Sequence, residues 1–304
     1  MKSKGLTILL SAFLICVLFG CNNNAQQPLA TIVKDTLEIY VDTSLAILIN
    51  EQRKAYENDH VNPIVQLKYL QEATILKALM NNEVNCAVLQ RRLTEGEKQF
   101  FQKKEDFLPK EYVIAHDAFV FVANSQNVRN VMYSSEVKDY FTKGNIKDFQ
   151  FVFENNSCQA IPYFRAHYGL SDKQLSSAYS KNGLTDLMQF LKTDQYSIGI
   201  IPFSYIADIE AQSTIEMLKG LKVLSVKYSD SSNKELTVNP SQESITTKDY
   251  PYTMPIVLLN CNMEKKSGTT FVNYIFKPKA QRLFLKCGMV PAIFPGREVI
   301  VNTK

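Results

Sequence analysis

Asp148-Phe-Gln-Phe-Val-Phe-Glu-Asn-Asn-Ser-Cys-Gln-Ala-Ile-Pro-Tyr-Phe-Arg-Ala-His-Tyr-Gly169 decides how this chain is read. Phe149, Phe151 and Phe153 with Val152 are aromatic and β-branched, the composition of a buried strand. Glu154-Asn155-Asn156-Ser157 is a polar, turn-prone stretch, and a helix is predicted from about Ala160 to Tyr168. Strand, polar turn, helix is an order that aims unpaired backbone N–H groups and a hydroxyl above the sheet edge. The positive end of the helix dipole converges on the same spot, where anions bind. Ser157 and its neighbours therefore read as half of an oxyanion site, or else as an ordinary capped helix start.

Outward from that unit, the same design repeats. Thr36–Val41 alternates as a first strand, Asp42-Thr43-Ser44 forms a turn and N-cap, and Leu45–Tyr56 is an amphipathic helix. Strands follow at Ile64–Leu70 and Cys86–Leu89, with a helix over Ala73–Met80 between them. Thr94 and Glu97 have capping-box spacing. Repeated βα units argue for mostly parallel sheets with helices on both faces, in which ligands sit beyond the carboxyl ends of strands. Thr43, Ser44 and Arg91 lie just past such ends, with Gln90 and Asn156 as weaker candidates. Arg91 reads as a bidentate donor for a tetrahedral anion, or as a solvated charge or an ion pair with Glu95. Thr43 and Ser44 read as anion donors or plain caps.

Glu111–Ala123 is a long β-run broken at His116-Asp117, and Ile256–Asn260 is a strand that could cross back. Helices are expected at Ser134–Phe141, near Asp172–Ser180, and at Leu184–Lys192. A long helix from Lys266 to Lys286, interrupted at Pro278, ends in Gly288 as its C′ residue. Two lobes joined by crossing strands follow: 36–118 with 256–304, and 119–255.

The 304 residues are 45% hydrophobic and 21% charged, a globular composition large enough for two lobes. Lys2 and Lys4 precede an apolar run ending at Gly20 that is short for a membrane span, and residues 1–20 read as a secretory signal peptide. Without those two lysines, 32 of the 34 basic residues remain against 30 acidic ones, a net charge of +2. That balance excludes nucleic acid as an expected partner. Cys86, Cys158, Cys261 and Cys287 are widely spaced, so neither a metal site nor a cofactor is expected. His60, His116 and His167 sit in no catalytic motif, and no enzyme activity is expected.

Leu18-Phe19-Gly20-Cys21 resembles the lipobox of bacterial lipoproteins, which implies lipidation at Cys21 and a membrane anchor on the periplasmic side of the cell envelope. Residues 21–35 would then be a flexible tether. Further segments carry a second resemblance. They are Arg91-Arg-Leu-Thr-Glu-Gly-Glu97, Ile114–Asn124, Glu154–Ser157, Ser197–Tyr205, Tyr250-Pro-Tyr-Thr-Met-Pro-Ile-Val-Leu258, and Gln281 with Cys287-Gly-Met-Val-Pro291. In this order they resemble the phosphate-binding proteins of ABC importers, in a short lipoprotein form.

The resemblance implies an α/β, two-lobed type 2 periplasmic-binding-protein fold, with two mostly parallel sheets joined by two crossing strands. It also implies capture of phosphate or a related oxyanion by Thr43, Ser44, Arg91, Ser157, Gln90 and Asn156, and delivery to an ABC permease. Departures stand at Cys158, where the family has glycine, and at Met254, where it has arginine. At Gln90-Arg91 the family has a carboxylate that accepts the proton of hydrogen phosphate. A different class of reading is an envelope sensor or scaffold that works through a protein partner.

Overall fold

The computed structural model describes residues 35–105, 108–144, 147–156, 158–170, 179–261 and 266–296. In the first lobe β1 (Thr36–Asp42) pairs in parallel with β2 (Ile64–Leu70) and with β3 (Cys86–Leu89). Helices α1 (Ala46–Asp59) and α2 (Glu72–Met80) make the connections. The period of two along β1 divides its side chains between two cores. Ile39 and Val41 join Leu48, Tyr56 and Phe284 on one face, while Tyr40 joins Ile75, Leu79 and Phe101 on the other. α3 (Glu95–Glu105) starts with the expected capping box, Glu97 N–H donating to Thr94 Oγ1 at 3.3 Å and Thr94 N–H to Glu97 Oε2 at 2.7 Å.

β4 (Lys110–Asn124) is one unbroken strand of 15 residues. Its first part pairs antiparallel with β11 (Thr253–Asn260) in the first lobe's sheet, and its last part with β8 (Ser197–Pro202) and β9 (Leu221–Ser229) in the second. The break expected at His116-Asp117 does not occur. Asp117 is fully buried, but its carboxylate accepts from Ala118 N–H (2.7 Å), Ser204 N–H (3.1 Å) and Ser204 Oγ (2.6 Å), so the strand carries a charged residue without leaving the ladder. The chain returns through Tyr250 and Tyr252, buried in the second lobe's core, and enters the first sheet as β11.

In the second lobe β6 (Gln150–Phe153) pairs in parallel with β8 and with the short β7 (Tyr179–Ser180). Phe149, Phe151 and Phe153 are all buried, as the opening stretch predicts. The helix expected near Asp172–Ser180 falls largely on residues outside those described, and its last two positions are strand β7. Parallel ladders join the βα units, whereas every ladder to β4 or β11 is antiparallel, so both sheets are mixed. β5 (Val131–Tyr133) and β10 (Glu235–Val238) flank β9, and α4 (Ser134–Lys143), α5 (Ala160–Tyr168) and α6 (Leu184–Thr193) cover the second lobe.

Pro278 divides the expected long helix into two. After α7 (Gln212–Leu218) and α8 (Gln242–Thr246) come α9 (Lys266–Ile275) and α10 (Pro278–Lys286), with the proline at a first-turn position where its missing N–H is harmless. Gly288 ends α10 at φ 82°, its N–H on Leu285 O at 3.1 Å and Met289 N–H on Phe284 O at 3.1 Å. The extended tail then adds β12 (Val290–Pro291) beside β4. A Cβ at Gly288 would stand 2.0 Å from the Ala207 Cβ of the second lobe, so two constraints demand glycine here. Left-handed backbone and overpacking together set the expected effect: Gly288→Ala lowers unfolding free energy by about 2–4 kcal/mol, read by urea denaturation.

Candidate functional site

Two strand–turn–helix units meet across the gap between the lobes. In the first, Asp42 ends β1 and its Oδ1 accepts from Ser44 N–H at 3.0 Å and from Ser44 Oγ at 2.5 Å. This side-chain turn holds Thr43–Leu45 in a single 3₁₀ turn that runs into α1. In the second, Glu154 and Asn155 lead from β6 towards α5. Phe153 O and Glu154 O are pinned by the N–H groups of Lys181 (2.9 Å) and Gly183 (2.7 Å). Gln159 Nε2, at the start of α5, reaches across to Asp42 Oδ2 at 3.4 Å, a long contact between the lobes.

These two turns enclose a cavity of about 300 Å³, with Thr43, Ser44, Asp42 and Gln71 on one side and Glu154, Asn155, Cys158, Gln159 and Tyr205 on the other. Its lining holds hydroxyls, amides and two carboxylates, and among the described residues no lysine, arginine or histidine. Burial pushes the Glu154 carboxyl up to about 6, and the neighbouring Asp42 acts in the same direction. The cavity can therefore accept protons from a guest's O–H groups and, with Glu154 neutral, offer one back.

A family model described as the PBP superfamily domain matches residues 26–279. The chain belongs to the PBP superfamily. No curated protein matches its sequence. Solved structures share the fold of this superfamily member. A protein described as a phosphate ABC transporter substrate-binding protein with bound phosphate, from Clostridium perfringens, superposes with a TM-score of 0.64 at 18% identity, over 85% of this chain and 100% of that one. An ABC-type phosphate transport receptor from Vibrio cholerae gives 0.64 at 16% identity, over 84% and 99%. PstS from Borrelia burgdorferi gives 0.59 at 18%, over 85% and 99%. The α/β, two-lobed type 2 periplasmic-binding-protein architecture is thus what the chain adopts.

Within this superfamily member the cavity gathers two of the six expected ligand residues, Thr43 and Ser44. Arg91 stands outside that lining. Its Nε donates to Glu72 Oε1 (2.7 Å), its Nη1 and Nη2 to the two Glu97 oxygens (2.8 Å each), and Nη1 also to Arg92 O (2.8 Å). A guanidinium so engaged is not a free fork for a guest, and the partners are Glu72 and Glu97 in place of the expected Glu95. Burial drives the Glu72 carboxyl up, and Arg91 offsets this only in part. At Glu97 burial also acts upward, but the bonds from Arg91 and Thr94 outweigh it and leave the group low.

Asn156 is exposed and accepts from Ser180 Oγ, and it is the preceding Asn155 that faces the cavity. Gln90 is buried at the end of β3, away from the lining. Ser157 lies outside the described residues, as does the first stretch of chain with Cys21. Cys158 is buried beside the cavity; burial pushes its thiol up to about 11, partly offset by hydrogen bonds to the backbone of Ile161, Ala160 and Asn155. The sulfur thus sits over the α5 amides that an anion was expected to use. His60 stacks on Tyr56 with ring centroids 4.4 Å apart, and His167 packs among Tyr163, Tyr168 and Tyr252. Neither they nor His116 line the cavity.

Asp42, Glu154, Gln159, Gln71 and Tyr205 were not expected in the site. Asp42 and Glu154 had a signal: each is the first polar side chain at the carboxyl end of a strand in a βα unit. For Arg91 the expectation is now structural. Arg91→Ala strands two partly buried carboxylates and lowers stability by roughly 1–3 kcal/mol, discounted for the quarter of its side chain that stays exposed. The same variant leaves any affinity for small anions unchanged, which denaturation and calorimetry on one preparation check together.

Proposed function

We propose that this chain is a solute-binding protein that captures a small, proton-bearing oxyanion of the phosphate class between its lobes. The observation that carries the reading is a cavity lined by hydroxyl- and amide-bearing turns from opposite lobes, with the Asp42 carboxylate placed to accept a guest's O–H. A multiply charged anion surrenders its water shell only to a full set of replacement donors. Thr43, Asn155 and Gln159 supply donors, while Asp42 accepts. The acceptor sits on the first βα turn, not after the third strand where the resemblance puts it. Cys21 would carry the lipid that tethers the protein at the periplasmic side of a membrane, and an ABC permease would take the solute. Closure of the lobes would be driven by contacts present only in the shut form. Among the described residues no helix is long and apolar enough to cross a membrane.

The placement of the Cys158 sulfur over the α5 amides favours a second reading, an envelope sensor or scaffold with a protein partner. Titration calorimetry on the purified chain with phosphate, arsenate and sulfate separates the two. The solute-binding reading predicts heat with phosphate or arsenate, and no heat with any of the three at millimolar concentration contradicts it.

The sign of the pH dependence follows from Glu154. Below about pH 6 the group is already neutral, and an anion enters without a proton cost. Above it, entry requires proton uptake, so affinity falls by up to about tenfold per pH unit. Glu154→Gln should flatten this fall and bind phosphate more tightly than the parent at pH 7.5.

A further inference from the structure

A second cavity, of about 410 Å³, adjoins the first and shares Ser44 and Tyr205 with it. Its character is opposite. Ile47 and Leu48 on the first turn of α1 form one wall, Cys287 and Met289 after α10 another, and Leu184 at the start of α6 closes it from the second lobe. Ile47 is 82% exposed at the rim, a large apolar side chain held in water at the mouth of a binding cleft. Scattered exposed apolar residues need no account, but an apolar chamber opening beside a polar one, with both lobes contributing to each, is how a site receives a guest of mixed character.

The first cavity admits such a guest. With Asp42 and Glu154 in its lining and, among the described residues, no cationic side chain there, a bare multiply charged ion meets repulsion that protonation relieves. A mono-substituted oxyacid meets that lining as a protonated monoanion just as inorganic phosphate does, and adds an apolar arm for the neighbouring chamber. We infer that the physiological solute is a small oxyanion bearing an apolar substituent, of the alkylphosphonate or monoalkyl phosphate class. Its acid head lies between Thr43 and Glu154, and its arm passes the Ser44–Tyr205 wall into the chamber lined by Ile47, Leu184 and Met289. This rests on the solute-binding reading above and narrows it.

The test compares inorganic phosphate, methylphosphonate and n-butylphosphonate by titration calorimetry on the purified chain at pH 5.5. Burial of each added methylene is worth about 0.8 kcal/mol, close to fourfold in affinity, so methyl to butyl should gain on the order of fiftyfold. Ile47→Asn, on an exposed helix position, and Leu184→Asn should each reduce that gain severalfold while leaving the affinity for inorganic phosphate unchanged. Equal affinity for the methyl and butyl compounds, with phosphate still binding, overturns the inference and spares the solute-binding reading. A butyl gain untouched by both substitutions also overturns it, because the arm then lies elsewhere. If none of the three compounds binds, both readings fall together.

Discussion

Everything in this molecule depends on carrying one strand unbroken through two sheets. β4 contributes Ile114 and Ala115 to the first lobe's core and Ala118–Ala123 to the second's, all buried. Between them sits Asp117, wholly buried, its charge held by the backbone of Ala118 and by both the N–H and the hydroxyl of Ser204. Burial pushes this carboxyl up to about 6, against the hydrogen bonds that favour its ionised form. An unpartnered carboxylate there would be costly, so the Ser204 turn is held to β4. The next residue on that turn is Tyr205, which lines both cavities. The position of the site wall thus follows from how a buried acid on the crossing strand is satisfied.

Gly288 supplies the complementary constraint from the far end of the chain. The close approach of α10's terminus to Ala207 brings Met289 and Cys287 against the apolar chamber and lets β12 lie along β4 at His116. Two separate segments, one on each side of the crossing, are therefore locked to the same few residues of β4.

Much of this was legible in the sequence because it rests on local pattern. The period of two in Phe149-Gln-Phe-Val-Phe153, the capping box at Thr94 and Glu97, and the proline and glycine that punctuate α10 are each decided by neighbours within a few positions. What escaped was set by distant partners. β10 is a short edge strand, Glu235-Leu-Thr-Val238, that exposes half its residues and has meaning only against β9. His116-Asp117 reads as a break until Ser204, 87 residues away, is seen to satisfy it. The site divides the same way. Thr43 and Ser44, singled out by the turn they occupy, line the cavity. The Glu72 partner of Arg91 is brought beside it by the fold of the first lobe from 19 positions away in sequence. The acidic lining went unread because Glu154 belongs by composition to a turn, and only the packing of the lobes aims it at Asp42.

A single guest held by the Asp42–Leu45 turn of one lobe and the Glu154–Ala160 segment of the other would protect both segments at once. Hydrogen–deuterium exchange of the purified chain, with and without saturating inorganic phosphate at pH 5.5, measures this most directly. The account predicts that amides of both segments slow together, with those of the β9–β10 face unchanged. Slowing confined to one lobe, or found only away from both turns, would contradict it.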